Sequence, residues 1–278
     1  MISGRTALYG VLGCPVAHSL SPAMHNAAYR ALGVDAAYVA LPVAPERVAE
    51  ALRGAHALGF RGLNVTVPHK QRAAELCERL ETVAALCGAV NTLRPSERGW
   101  EGFNTDAPAC LALLEEAGAR GGARALVLGA GGAASAAGWA LLQAGLEVEV
   151  AARRPEAAEA LCARMRAAFP GGPAVEALPW EDVAERADAA GVIVNATSVG
   201  LAGHRGTLPA LRFRRRHLAV DFVYGQTAFV EQAQADGAAV VTGEQILVRQ
   251  GALAFKIWIG QPAPEAVMAA ALHEPSPS

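Results

Sequence analysis

A chain of 278 residues with 53% hydrophobic and 18% charged residues can build two domains with large cores, and is too apolar for disorder. A formal charge of −2 excludes a general attraction to nucleic acid: the basic runs Arg153-Arg154 and Arg212 to Arg216 are short, the second reading as a solvated face. Five cysteines, Cys14, Cys77, Cys87, Cys110 and Cys162, with no C-x-x-C pair and no secretory signal, indicate reduced thiols and a cytoplasmic protein.

In chain order, Ala7–Leu12 reads as a strand, and Ser21-Pro22 opens a helix that ends near Gly33, with Ser21 as N-cap. Ala37–Leu41 is a second strand, followed by a helix from Pro45 to about Leu58 that Gly59 stops. Gly62–Val67 alternates as a third strand ending at Pro68, which delivers Asn64, Thr66 and Lys70 to a strand's carboxyl end. Val90–Arg94 and Trp100–Phe103 form a hairpin around Pro95-Ser96-Glu97-Arg98. These elements predict a small α/β domain with a mixed sheet.

A helix from about Asp106 to Ala117 leads into a second series. Its strands are Ala125–Leu128, Glu147–Ala151, Ala174–Ala177, Val192–Asn195, Leu218–Asp221 and Ala239–Thr242, most of them separated by helices. That alternation predicts a parallel, doubly wound sheet. Ala125–Leu146 carries no charge and is long enough to span a bilayer, but its glycines and alanines fit a strand, a turn and a buried helix better. Helices at Glu244–Gly260 and Pro264–Leu272 close the chain before a polar tail, His273–Ser278, that should fray. The expected division is residues 1–105 with 245–278 against residues 106–244, with an active-site cleft between the two.

Two segments carry chemistry. Among 24 Lys+Arg only Lys70 and Lys256 are lysines, so Lys70 stands where an arginine cannot serve: an amine can exchange a proton near neutrality and a guanidinium cannot. Gly129-Ala130-Gly131-Gly132-Ala133-Ala134 fits G-x-G-x-x-A between a strand and a helix, the context in which a pyrophosphate sits on a helix N-terminus. The next strand ends in Ala151-Ala152-Arg153-Arg154, with cations and no acid at its tip, which favours NADP(H) over NAD. Glu147 and Glu149, inside that strand, read as edge or surface residues.

Seven further motifs fall in order: Gly13 to Asn26 with Ser19 and Ser21, Asn64 to Lys70, Gly88 to Thr92 with Asn91, Gly102 to Asp106, Asn195 to Gly200 with Thr197, Asp221 to Tyr224, and Gln250-Gly251-Ala252. The series resembles the shikimate dehydrogenase family over nearly the whole chain. The resemblance implies reversible NADPH-linked reduction of 3-dehydroshikimate to shikimate, without a metal. It implies that Ser19, Ser21 and Tyr224 bind the substrate carboxylate, that Asn64, Thr66, Asn91, Asp106 and Gln250 hold the ring hydroxyls, and that Lys70 and Asp106 transfer the proton. For the cofactor it implies Gly129, Ala130, Gly131, Gly132, Ala133, Ala152, Arg153, Arg154, Thr197, Phe222 and Gly243.

Singly, each residue has a plainer reading. Ser21 suits an N-cap, Asp106 a helix cap, Asn91 and Asn104 turns, Tyr224 a core position and Gln250 a helix surface. The chain also departs from the family: Ala152 and Arg154 replace the Asn and Thr of its Asn-Arg-Thr cofactor motif, and Ile246 stands where relatives carry Met. A quinate/shikimate dehydrogenase and a non-catalytic NADP-binding regulator remain alternatives, and the sequence leaves monomer and homodimer open.

Overall fold

A computed structural model describes residues 2–201 and 206–273. The tail from residue 274 onward therefore lies outside the described residues. The chain divides into two compact units, Met1–Thr105 with Leu247–Ser278, and Asp106–Ile246.

The first unit contains β1 (Ala7–Gly13), α1 (Ser21–Ala31), β2 (Ala36–Pro42), α2 (Val48–Ala57), β3 (Gly62–Val65), α3 (Lys70–Leu76), β4 (Arg79–Leu80), α4 (Thr82–Cys87), β5 (Thr92–Pro95) and β6 (Trp100–Phe103). Its sheet runs β2-β1-β3-β5-β6-β4. β1 is parallel to β2 and β3, while β5 is antiparallel to β3 and β6, so the sheet is mixed as the alternation predicts. Side chains of successive strand residues point to opposite faces. Val11 accordingly joins a core with Met24, Tyr29 and Tyr38, and Leu12 one with Leu52, Leu63 and Trp100. Fully burying a leucine such as Leu63 contributes about 1.5–3 kcal/mol.

Three local expectations need correction here. Ser21 is the first helical residue, preceded by Leu20 at a cap position without a side-chain bond; the Ser19 hydroxyl accepts from the Ser21 N–H at 3.3 Å instead. β3 stops at Val65, two residues early, because the chain turns: the His69 N–H donates to the Thr66 carbonyl at 2.9 Å. Lys70, just past the turn, opens a helix, α3. That helix and α4, with seven and six residues, are too short for a readable apolar period. The helix expected from Pro45 begins as one 3-10 turn, Pro45–Arg47, before α2.

The second unit contains α5 (Asp106–Glu116), β7 (Arg124–Leu128), α6 (Gly132–Gln143), β8 (Glu147–Ala151), α7 (Pro155–Ala168), β9 (Val175–Leu178), α8 (Val183–Ala189), β10 (Val192–Asn195), β11 (Leu218–Asp221), α9 (Ala228–Ala235) and β12 (Ala239–Val241). All its strands are parallel, in the order β12-β11-β10-β7-β8-β9. The winding reverses between β7 and β10, where open α/β sheets bind ligands. α10 (Gly243–Ile259) begins in this unit and continues into the first, where α11 (Glu265–Ala270) follows.

Glu149 also needs correction. The Glu149 side chain shares a face of β8 with Ala151, the face packed by Val183 and Ala187 of α8, and it is buried and ion-paired with Arg186 of that helix and, at 3.7 Å, with Arg124. Glu147, at the start of the same strand, is exposed as expected. In the basic run, Arg214 and Arg216 are exposed and pair with Asp188 at 2.6 and 3.5 Å. Among the described residues no helix is long and apolar enough to cross a membrane.

Candidate active site

In the first unit, buried amides gather at the carboxyl end of β3 and the start of β5. Asn64, in β3, donates through Nδ2 to the Asn91 carbonyl and to Thr92 Oγ1, both at 3.0 Å. Asn91 Oδ1 accepts from the Thr105 N–H at 2.7 Å, and its Nδ2 donates to Thr105 Oγ1 at 2.9 Å and to Gln250 Oε1 at 3.3 Å. The Thr105 hydroxyl also reaches Gln250 Oε1 at 3.3 Å, while Gln250 Nε2 donates to the Leu247 carbonyl at 2.9 Å. Asn64, Asn91 and Gln250 are thus joined through Thr92 and Thr105, and all five are buried. Gln250 is no surface residue, and Asn91 is no ordinary turn residue. Asn104 is buried as well and braces the Ala89 carbonyl at 2.9 Å.

Around this cluster the backbone is pinned. The Thr66 N–H donates to the Leu12 carbonyl at 2.8 Å, and the Val90 N–H to the Lys70 carbonyl at 2.9 Å. His69 is buried and bonds the Val43 carbonyl through Nε2 at 2.7 Å, so it anchors the turn that presents Lys70. Lys70, Thr66, Ser19 and Ser21 lie on the segments leading to or from this sheet end, and Lys70 is half-buried. Asp106 follows Thr105 directly, buried at the first position of α5. Tyr224, half-buried just beyond β11, belongs to the second unit.

In the second unit, Gly129 leaves β7 with φ +110°, and a Cβ there would stand 2.8 Å from the Ala196 carbonyl oxygen. Only glycine takes that turn without strain. Gly131 precedes α6 in extended conformation with no side-chain cap, so the first amides of a twelve-residue helix are left for another acceptor. A Cβ at Gly131 would meet nothing within 4 Å, leaving open space before the helix. Gly132, Ala130 and Ala133 flank the turn, Ala152 is buried, and Arg153 and Arg154 are exposed just past β8. An open helix start and two exposed guanidinium side chains fit a pyrophosphate and a 2′-phosphate.

The neighbouring strand ends are cross-braced. Asn195 Oδ1 accepts from the Thr197 N–H at 3.2 Å and its hydroxyl at 2.7 Å. Asn195 Nδ2 donates to Asp221 Oδ1 at 3.0 Å, and the Thr227 hydroxyl to Asp221 Oδ2 at 2.6 Å. Phe222 packs on the core beside this brace, and a Cβ on Gly243 would collide with the Val223 carbonyl. Burial pushes the Asp221 carboxyl up to about 6, against the opposing bonds from Thr227, Val223 and Asn195.

Sequence reasoning missed Thr92, Thr105, Tyr38, Thr227 and the bracing role of Asp221. Thr92 and Thr105 each adjoin a quoted site residue, which is the one available signal. Tyr38 reads as an ordinary core position in an alternating strand.

A doubly wound parallel sheet with an uncapped glycine turn at its switch point, in one chain with a mixed-sheet unit lined with buried amides, defines a dinucleotide-dependent oxidoreductase with a separate substrate unit. The family model described as the shikimate dehydrogenase substrate binding domain matches residues 11–93, and that of the shikimate 5'-dehydrogenase C-terminal domain matches residues 243–273. Shikimate dehydrogenase (NADP(+)) of Anaeromyxobacter dehalogenans strain 2CP-C is 67% identical over 273 residues, 98% of each chain. Shikimate 5-dehydrogenase of Thermus thermophilus, solved with NADP(H) and shikimate, superposes with a TM-score of 0.82 at 40% identity, over 96% of this chain and 98% of that one. Quinate dehydrogenase of Corynebacterium glutamicum, solved with NAD, gives 0.84 at 29% identity over 96% and 98%. The chain belongs to the shikimate dehydrogenase family.

Proposed function

We propose that this protein catalyses the reversible NADPH-dependent reduction of 3-dehydroshikimate to shikimate, in the cytoplasm, on the route to chorismate and the aromatic amino acids. The observation that carries the reading is the joined set Asn64, Asn91 and Gln250. Three neutral carboxamides suit a polyhydroxylated ring, which needs donors and acceptors without a fixed charge.

In this reading Ser19, Ser21 and Tyr224 donate hydroxyl protons to the substrate carboxylate. Thr66 and Asp106 join the amides in holding ring hydroxyls. The nicotinamide, when bound, supplies the hydride for the carbonyl carbon or accepts it in the reverse direction. As charge develops on the carbonyl oxygen, the Lys70 ammonium stabilises it and gives up its proton, so that ketone, hydride and proton make the alcohol. In reverse the Lys70 amine takes that proton. The Asp106 carboxylate orients the ammonium. Gly129 to Ala133 would hold the pyrophosphate, Arg153 and Arg154 the 2′-phosphate, and Ala152, Thr197, Phe222 and Gly243 would complete the cofactor's surroundings.

Arg153 and Arg154 favour shikimate with NADP+ over the NAD-linked quinate activity of the Corynebacterium protein. The test is the appearance of NADPH absorbance with shikimate and NADP+, run with quinate, with NAD+ and with a chelator in parallel. Turnover with shikimate and NADP+, indifferent to the chelator, is expected. No turnover above background, or a requirement for added metal, refutes the reading.

A further inference from the structure

Tyr38 lies fully buried in β2 with its main chain gripped by Asn26: Asn26 Nδ2 donates to the Tyr38 carbonyl at 2.8 Å and its Oδ1 accepts from the Tyr38 N–H at 2.9 Å. The ring stacks on His25, with centroids 4.4 Å apart and planes 8° from parallel. Neither ring nitrogen of His25 has a hydrogen-bond partner among the described residues, and burial pushes its pKa down to about 3, so it serves as a neutral packing surface. Held on both sides, the Tyr38 hydroxyl comes 2.6 Å from Asn64 Oδ1.

Proton counting then settles what Asn64 can offer. A carboxamide oxygen only accepts, so Tyr38 donates. Both Nδ2 protons of Asn64 are engaged by the Asn91 carbonyl and Thr92 Oγ1, and the carbonyl, which only accepts, prevents the amide from being turned over. One lone pair of Oδ1 is taken by Tyr38, and among the described residues no other donor bonds the second. We propose that Tyr38 is a positioning residue for substrate selection: it locks Asn64 so that this place in the site accepts a hydrogen bond and cannot give one.

The consequence is chemical. A ring hydroxyl can satisfy Asn64, whereas a ketone oxygen there would set lone pair against lone pair. Asn64 thereby rejects ring orientations that bring the reacting carbonyl to it. Burial keeps the phenol's pKa well above its ordinary value, so the locking proton stays in place at any working pH. The inference rests on the shikimate dehydrogenase reading.

Tyr38→Phe keeps the ring and removes the proton. The KM for shikimate should rise on the order of ten-fold, the loss expected for one hydrogen bond, with kcat and the KM for NADP+ unchanged. Made in an Asn64→Ala background, the same change should add nothing. An unchanged shikimate KM in Tyr38→Phe, or the same increment in both backgrounds, overturns the proposal, the second result marking a merely structural tyrosine. A readout without substitution uses the native protein and the monodeoxy and monoketo analogues of shikimate. At one ring position the keto analogue should bind more weakly than the deoxy analogue, and absence of such a position also overturns the proposal. If the native protein fails to oxidise shikimate with NADP+, the functional reading falls and takes this inference with it. Turnover with additive substitutions overturns the role of Tyr38 alone.

Discussion

Removing the Asp221 carboxylate should unbrace the cofactor end of the second unit. Asp221 closes β11 with no exposed surface, and accepts from Asn195 Nδ2 at 3.0 Å, the Val223 N–H at 2.9 Å and the Thr227 hydroxyl at 2.6 Å. Asp221→Ala leaves three donors without their acceptor. Each buried unsatisfied donor costs about 1–3 kcal/mol, and with partial relaxation the sum is about 3–5 kcal/mol. That is a large part of the roughly 5–15 kcal/mol that holds an ordinary domain folded. Asn195 also grips the Thr197 N–H and hydroxyl, so NADP+ affinity should fall along with stability. Denaturant unfolding and NADP+ titration at neutral pH read both effects. A stability loss below about 1 kcal/mol would refute the reasoning, since it would mean the donors find other partners.

The same carboxyl gives a sign in pH. Burial pushes it up to about 6, above the ordinary aspartate value of about 4 that applies in the unfolded chain. Its contribution to stability is therefore full below about pH 4 and is lost as pH rises through 6. A rise of roughly two units corresponds to about 3 kcal/mol. Asp221→Asn cannot titrate. The stability of the native protein relative to this variant should fall by up to that amount between about pH 4 and 7. A difference that does not change with pH counts against the assignment.

Three further outcomes are expected. Lys70→Ala should lower turnover by roughly 10²–10⁴-fold with much less effect on shikimate binding, and Asp106→Asn should slow turnover too; near-native turnover of Lys70→Ala in a stopped-flow or steady-state assay rules out the proton-transfer role. Replacing Arg153 and Arg154 together with Ala should raise the KM for NADP+ on the order of ten- to a hundredfold and leave that for NAD+ unchanged, whereas equal use of both cofactors by the native protein refutes the reading of that strand end. Gly129→Ala forces an alanine to φ +110° against the Ala196 carbonyl, and should cost about 2–4 kcal/mol in denaturant unfolding while weakening NADP+ binding; a variant of native stability shows that the turn relaxes freely.

By itself the sequence determined what depends on near neighbours. Short apolar runs separated by helices marked most strands of the second unit, because a parallel strand covered on both faces is apolar nearly throughout. The glycine turn after β7 was legible because its positive φ is a local steric demand that only glycine meets freely. The hairpin Thr92–Pro95 with Trp100–Phe103 was legible from its turn residues, and the family from motifs standing in order. Tertiary structure decided everything set by partners distant in the chain. Gln250 meets Asn91 across 159 positions, and nothing near either residue records the other. Glu149 is buried because α8 packs on its face of β8 and brings Arg186 to it across 37 positions, which the strand's own residues do not record. Tyr38 reads as core from its strand pattern, and becomes a donor aimed at Asn64 only when β2, β1 and β3 lie side by side. Steric and capping rules act within a few residues, but a buried polar group is satisfied by whichever partner the packing brings to it.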